Sequence, residues 1–304
     1  MAMIETRNLT KRYGDVTAVE GVDLTVEEGA IHGFVGHNGA GKSTTMQMLV
    51  GLVTPTEGEA YVGDEPAGSL AARRKLGYAP QHPQFYESMT GRDYLVYMGK
   101  VAGVDGSAAD RADELLERFD LADAAGQRIA GYSGGMERKL ALAQALLNEP
   151  DLLILDEPTA ELDPEGRASI IEALEGMTSE GVTTFVSSHV LAELEQFVDT
   201  VTVLHDGTVA TSGPIDEVTA ATGEATFEVE ASDNERLREL LADHPAVERV
   251  RLENGRLSVV ADDPEAFTTE LTTVAGEAGL GIQSLQRRGG LEETFLKLTG
   301  EGDD

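Results

Sequence analysis

The sequence predicts an α/β chain in two parts: a mostly parallel central sheet with an antiparallel β edge and a helical insert, then a smaller α+β unit. Three observations carry this expectation. Short apolar runs at residues 31–35, 152–155 and 183–187 end in polar or glycine-rich turns, the pattern of parallel strands covered on both faces. The first thirty residues instead alternate, with Val22, Leu24 and Val26 apolar between polar neighbours, as half-buried antiparallel strands do. Beyond Gly223 the pattern changes to a compact succession of strands and helices.

The elements follow in order. Residues 31–35 are read as a buried strand, followed by a glycine-rich turn and a helix with Met46, Leu49, Val50 and Val53 on one face. Ala112, Leu115, Leu116 and Phe119 share one helical face within residues 110–119, and Met136, Leu140, Ala143 and Leu147 share another. Both belong to a helical insert at about residues 85–150. His205-Asp206-Gly207 reads as a hairpin turn, and a short helix is expected near residues 214–221. Gly223 makes a boundary, giving domains 1–222 and 223–304. The second domain reads strand 225–229, helix 234–241, a hairpin through Asn254-Gly255, helix 264–276, strand 281–286 and a final helix 292–298. That βαββαβ order is ferredoxin-like. It carries no His cluster or phosphate loop, and reads as a packing or interaction module.

Composition narrows the function. With 304 residues and 41% hydrophobic content the chain can bury a sizeable core. It has no cysteine, which excludes disulfides, thiolate nucleophiles and cysteine-ligated metals. The 55 acidic and 23 basic residues give a net charge of −32, a surface that repels phosphate backbones and argues against a nucleic-acid partner. Such a charge suits a halophilic, high-salt cytoplasm, where screening shortens from about 8 Å to about 3 Å at 1 M salt. An ordinary acidic protein is the other reading. No stretch reaches the ~20 apolar residues of a membrane span, and the first ten residues include Glu5 and Arg7 instead of a signal-peptide core. A cytoplasmic chain is expected, with any membrane role supplied by a partner.

The chemistry centres on Gly36-His37-Asn38-Gly39-Ala40-Gly41-Lys42-Ser43, which fits G-x-x-x-x-G-K-[ST] between a strand and a helix. Glycines let backbone N–H groups approach phosphate oxygens, the helix N-terminus favours negative charge, Lys42 reaches the terminal phosphates, and Ser43 is placed to hold Mg²⁺. The apolar run 152–155 ends in Asp156 and Glu157, so a metal-supporting and a proton-accepting carboxylate emerge at the same sheet edge. Taken alone, such a pair is also an ordinary helix N-terminal charge. Ser133-Gly134-Gly135 opens an amphipathic helix; the serine is a natural N-cap, and the glycines leave N–H groups open to an anion.

In order and spacing, Tyr13, the phosphate loop, Gln81, Tyr132-Ser133-Gly134-Gly135-Met136, Asp156-Glu157, Leu162-Asp163 and His189 resemble an ABC-transporter nucleotide-binding subunit over residues 3 to about 220. The run 142–147 and Leu291-Glu292-Glu293-Thr294-Phe295-Leu296 in an appended domain are similar to the ATPases of the ABC-2 exporter group. The resemblance implies a P-loop NTPase (RecA-like) core, ATP and Mg²⁺ as ligands, and hydrolysis at composite sites of a head-to-tail dimer. It implies that Tyr13 stacks on adenine and that residues 36–44, including Thr44, bind phosphates. Ser43, Gln81 and Asp156 then hold the metal, Glu157 is the general base, His189 contacts the γ-phosphate, and Ser133, Gly134 and Gly135 close over ATP held by the opposite protomer. Asp163 links the two protomers; Gln84 competes with Gln81 for its role. The implied partners are a second copy or a paralogous subunit, and an integral membrane permease at the cytoplasmic face of the cell membrane. Phe85, Tyr86 and Met89 would line the permease groove, though core packing explains them as well. Two departures stand out: His37 replaces the usual Pro, and Glu161 replaces a small residue.

Overall fold

A computed structural model describes the chain except residues 105, 161, 221–224, 243, 254–255, 262, 289–290 and 292–304. Two units form, Met1–Pro214 and Ile215–Asp304.

The first unit opens with the hairpin β1 (Ala2–Tyr13) and β2 (Val16–Glu27), paired antiparallel with Tyr13 opposite Val16. The alternation in β2 buries Val22, Leu24 and Val26 on one face, as the period-two pattern predicts. Strand β3 (Ile31–Val35) leads through the phosphate loop to α1 (Lys42–Leu49). Strands β4 (Glu57–Val62) and β5 (Glu65–Pro66) extend the outer sheet in the order β2-β1-β4-β5. Helix α1 is shorter than its apolar pattern suggests. Gly51 takes φ +75°, and its Cα side faces Gly68 backbone so closely that a Cβ would sit 2.3 Å from Gly68 Cα, so the chain turns there and Val53 lies outside the helix.

Helix α2 (Leu70–Lys75) and strand β6 (Leu76–Ala79) precede the helical insert, made of α3 (Gly91–Ala102), α4 (Ala108–Arg118), two 3₁₀ turns and α5 (Gly134–Ala145). Serine or threonine side chains cap α2 to α5, each accepting a backbone N–H in the first turn. Then come β7 (Leu152–Asp156), α6 (Pro164–Ser179), β8 (Thr183–Ser188), α7 (Leu191–Leu194), β9 (Thr200–His205) and β10 (Thr208–Pro214). The central sheet has the order β10-β9-β3-β8-β7-β6, parallel from β9 to β6 with β10 antiparallel at the edge. Every residue of β3, β7 and β8 is buried, which explains their mostly apolar or small-residue runs; the exceptions are His32 within β3 and Asp156 at the end of β7. Phe34 and Phe185 pack with ring centroids 5.1 Å apart in the core beneath the loop.

The second unit begins with α8 (Ile215–Ala220), ahead of the expected boundary at residues 222/223, because that helix groups with the strands and helices C-terminal to it. It continues β11 (Ala225–Ala231), α9 (Asn234–Leu241), β12 (Arg249–Glu253), β13 (Arg256–Ala261), α10 (Pro264–Glu277) and β14 (Ile282–Arg288). The antiparallel order β12-β13-β11-β14 is that of a ferredoxin-like sheet. Phe227, Leu237, Leu257 and Phe267 form its core, the two phenyl rings 4.6 Å apart. Gly223, the Asn254-Gly255 turn and the expected helix 292–298 lie outside the described residues. No described helix is long and apolar enough to cross a membrane.

Candidate active site

Strand order assembles the site. Because β3, β8, β7 and β6 are parallel neighbours, their carboxyl ends deliver the phosphate loop, His189, Asp156-Glu157 and Gln81 to one edge, although these residues are far apart in sequence.

The loop from Gly36 to Lys42 is shaped by contacts that only glycine permits. A Cβ on Gly36 would meet Leu204 O at 2.4 Å, and one on Gly41 would meet Ala18 O at 2.5 Å. Gly41 also has φ +105° and Gly39 φ +91°. Helix α1 has no side-chain cap and no acidic residue in its first turn, so its leading N–H groups are directed at the loop without a protein carboxylate or hydroxyl to receive them. This cradle fits a phosphate group. Asn38 and Gly39 are exposed at the tip, while Ala40 is buried and its N–H donates to His37 O at 3.1 Å.

Lys42 is 5% exposed. Its Nζ donates to Gly36 O at 2.7 Å and His37 O at 3.2 Å, and lies 3.7 Å from Glu157 Oε1. Burial pulls its pKa below the ordinary lysine value, against the opposing charges of Glu157 and Asp156. Ser43 and Thr44 follow on the first turn, half-buried.

Asp156 and Glu157 are tied to β8 through one hydroxyl. Ser187 Oγ donates to Asp156 Oδ1 at 2.8 Å and accepts the Glu157 N–H at 3.0 Å. Glu157 takes φ +50°, turning its side chain off the end of the strand. Its Oε2 accepts from Gln81 Nε2 at 3.1 Å and lies 2.9 Å from His189 Nδ1, a contact that holds with the proton on Nδ1. Lys42, Gln81, Glu157 and His189 are therefore one connected group. The oxygen-rich set of the Ser43 hydroxyl, Asp156 carboxylate and Gln81 amide suits a hard cation such as Mg²⁺.

Three supporting residues escape a sequence reading. Ser187 is one of four hydroxyl residues in β8 and stands next to its last position, with nothing in the local pattern to single it out. Arg138, buried on α5, donates to the carbonyls of Gln81 and Pro80 and so holds the turn that carries Gln81. Glu193 accepts from Thr159 Oγ1 and from Arg167 beside a small cavity of about 70 Å³ that His189 also lines. The only sequence signal for Arg138 is a cation on a largely buried helical face.

Other expected residues lie apart. Tyr13 is 49% exposed, with Lys11 Nζ 4.9 Å above its ring. Ser133 caps α5, accepting the Met136 N–H at 3.3 Å, and Gly134 is exposed beside it. Among the described residues no hydrogen bond joins either Tyr13 or this turn to residues 36–43. Gly134 and Gln81 do line a shared cleft of about 190 Å³. Asp163 caps α6, accepting the Gly166 N–H at 2.8 Å. Glu161 lies outside the described residues. Gln84 is exposed, and the amide that meets Glu157 is that of Gln81. Phe85 and Tyr86 both pack edge-on against Tyr94; Tyr86 remains 57% exposed and Met89 half-buried.

A glycine cradle between a parallel strand and a helix, a buried lysine, and a pair of carboxylates at the end of β7 in the same parallel sheet define a nucleoside triphosphatase of the P-loop class. Residues 19–160 match the family model described as ABC transporter. The daunorubicin resistance ATP-binding protein DrrA3 of Streptomyces coeruleorubidus is 37% identical over 297 residues, 96% of this chain and 94% of that protein. The Nod factor export ATP-binding protein I of Burkholderia lata is 34% identical over 304 residues, 99% and 98% of the two chains. Among solved structures, an ATP-binding subunit of an ABC transporter superposes with TM-score 0.66 at 30% identity, covering 73% of this chain and 93% of its own. A dimeric post-hydrolysis cassette bound to ADP and Pi gives TM-score 0.64 at 27% identity, covering 70% and 98%. The chain belongs to the ATP-binding subunits of ABC transporters. It is an ATPase that uses ATP with Mg²⁺.

Proposed function

We propose that this chain is the motor of an exporter, working as a head-to-tail pair that drives a separate ABC-2 type membrane permease from the cytoplasmic face. Two relatives spanning nearly the whole chain are named for drug resistance and for export, which supports the exporter reading. The observation that carries the chemistry is Glu157, whose two oxygens meet Lys42, Gln81 and His189.

In this reading residues 36–44 cradle the phosphates and Lys42 compensates their charge. Ser43, Asp156 and Gln81 hold Mg²⁺, which when bound neutralises charge on the phosphate oxygens. Glu157 accepts the proton of the attacking water, His189 orients that carboxylate and reaches the γ-phosphate, and Tyr13 stacks on adenine. Ser133, Gly134 and Gly135 act on ATP held by the other copy, or by a paralogous subunit, with Asp163 at the seam. The first unit performs this work and the second is an accessory module. A nucleic-acid partner does not suit the net charge of −32.

Phe85, Tyr86 and Tyr97 form the proposed permease contact, since Tyr86 and Tyr97 are exposed aromatics with rings 5.9 Å apart. Affinity purification of the tagged chain from detergent-solubilised membranes tests the assignment. A multi-helix membrane protein should co-purify with the wild type and be lost with Tyr86→Asp, whose ATPase activity in isolation persists. Recovery of no membrane protein, or equal recovery with the variant, overturns it.

A further inference from the structure

His37, His205 and Asp206 meet where the phosphate loop touches the β9–β10 hairpin. One ligand atom from each lies within 4.8 Å of the others. The backbone causes the meeting: Gly207 N–H donates to Ala40 O at 3.0 Å, and Asp206 and Gly207 take φ +44° and +80°, folding the turn against the loop. His37 Nε2 then lies 3.3 Å from Asp206 Oδ1, and His205 Nε2 lies 3.6 Å from Oδ2. The two rings stand edge to face with centroids 5.3 Å apart.

The hydrogen bonding around His37 points to a cation. Its Nδ1 lies 2.9 Å from Asn38 O, and a carbonyl only accepts, so Nδ1 carries the proton. With Nδ1 so engaged, it is Nε2 that faces the Asp206 carboxylate, and the contact needs a positive charge between them, supplied by a bound cation or by a second proton on the ring. This is the arrangement of a metal-bound histidine, whose second nitrogen donates to a backbone carbonyl and fixes the tautomer. No described lysine or arginine pairs with Asp206; its ion-pair contacts are the two imidazoles. Metal–ligand bonds of about 2.0–2.2 Å in a tetrahedron separate ligand atoms by about 3.4 Å. Each imidazole already stands near that distance from one oxygen of the shared carboxylate, His37 from Oδ1 and His205 from Oδ2, so a rotation of the exposed Asp206 side chain would bring one oxygen to both.

We propose that His37, His205 and Asp206 form a binding site for a borderline divalent transition-metal cation, such as Zn²⁺, which ties the phosphate loop to the β9–β10 hairpin. The donor set separates this site from the Mg²⁺ position. Two imidazoles and one carboxylate favour zinc, cobalt, nickel or copper, whereas Mg²⁺ keeps oxygen ligands and water. Asp206 is exposed, so the fourth position opens to solvent. The site stands on its own geometry and does not depend on the transport reading.

The test is Co²⁺ and Zn²⁺ titration of the full-length, chelator-stripped protein, followed by visible absorption for Co²⁺ and calorimetry for Zn²⁺. Molar KCl and millimolar Mg²⁺ occupy the many surface carboxylates. One ion per chain should bind more tightly than about 100 μM. His205→Gln, which lies outside the loop, and His37→Ala should each weaken binding by at least about 10–100-fold. His244→Ala, whose ring faces Glu270 in the second unit, should bind as wild type. Absence of stoichiometric binding overturns the proposal, because a proton shared between imidazole and carboxylate then accounts for the cluster. Binding that survives both His37→Ala and His205→Gln, or that is lost equally in His244→Ala, also overturns it.

Discussion

Replacing Glu157 with Gln removes one charge where four functional groups converge and leaves the side-chain volume almost unchanged. The carboxylate is buried, 3.7 Å from Lys42 Nζ on one oxygen and 3.1 and 2.9 Å from Gln81 Nε2 and His189 Nδ1 on the other. The Gln amide oxygen can keep the second pair of contacts. Its NH₂ then faces Lys42, which retains its bonds to Gly36 O and His37 O. The φ of +50° costs Gln and Glu alike, and the Ser187 bond to the backbone N–H is untouched, so the fold is preserved. What disappears is the proton acceptor. A positioned general base contributes about 10²–10⁴-fold, so kcat should fall by that factor, about 3–5 kcal/mol of barrier. Nucleotide affinity should hold or rise, because the phosphates no longer face a buried carboxylate. Steady-state phosphate release measures the first quantity, and titration with a fluorescent ATP analogue the second. A kcat within tenfold of wild type, about 1.4 kcal/mol, or a loss confined to binding, refutes the assignment.

Other expectations rest on the same geometry. His32 is buried with Thr200 and Thr202 hydroxyls on its two ring nitrogens, and burial lowers its pKa to about 4. The folded state therefore binds fewer protons than the unfolded state below pH ~6.5; stability is full above that pH and declines toward pH 4 by up to about 3 kcal/mol, a slope that urea denaturation of His32→Gln should lack. Gly41→Ala combines φ +105° with a Cβ 2.5 Å from Ala18 O, so it should cost at least about 1–3 kcal/mol and abolish nucleotide binding; unchanged stability in denaturant would contradict the loop geometry. If the net charge of −32 reflects a high-salt cytoplasm, the melting temperature should rise between low and molar KCl, and a flat curve would remove the halophilic reading.

What the sequence reveals is local, and what it hides is set by distant contacts. The glycine cradle is readable because its backbone demands and the flanking strand and helix lie within one short stretch. The buried strands β3, β7 and β8 are readable because burial on both faces forces apolar runs. Strand β6 is not, since Leu76-Gly77-Tyr78-Ala79 is four residues long with a glycine inside it. Gly77 has its reason across the sheet: a Cβ there would sit 2.0 Å from Ala145 O of α5. Likewise the meeting of Gln81, Glu157 and His189 depends on the order β8-β7-β6, which periodicity does not encode. The family resemblance supplies those residues from motif order, but neither Arg138 behind Gln81 nor Ser187 between Asp156 and Glu157 is among the motifs it names.

The turn at Ser133 and its glycines poses a different question, because its groups do not join the cluster at the strand ends. Ser133 spends its hydroxyl on capping α5, and a cap alone is worth about 1 kcal/mol. If that were its whole purpose, Ser133→Arg would cost modest stability and leave hydrolysis nearly intact. If instead the turn serves the nucleotide of a second copy, Ser133→Arg should be inactive although its own Lys42 is sound, and Lys42→Ala should be inactive although its own turn is sound. Mixing the two inactive proteins distinguishes these cases. A mixed pair contains one site built from the intact loop of the Ser133→Arg chain and the intact turn of the Lys42→Ala chain. With random exchange half the pairs are mixed and each holds one good site of two, so ATPase activity should recover to about a quarter of wild type. Recovery requires that each site be shared between chains. Two variants that stay inactive together under conditions where subunit exchange is verified, or a Ser133→Arg chain that hydrolyses ATP unaided, would place the whole reaction within a single polypeptide.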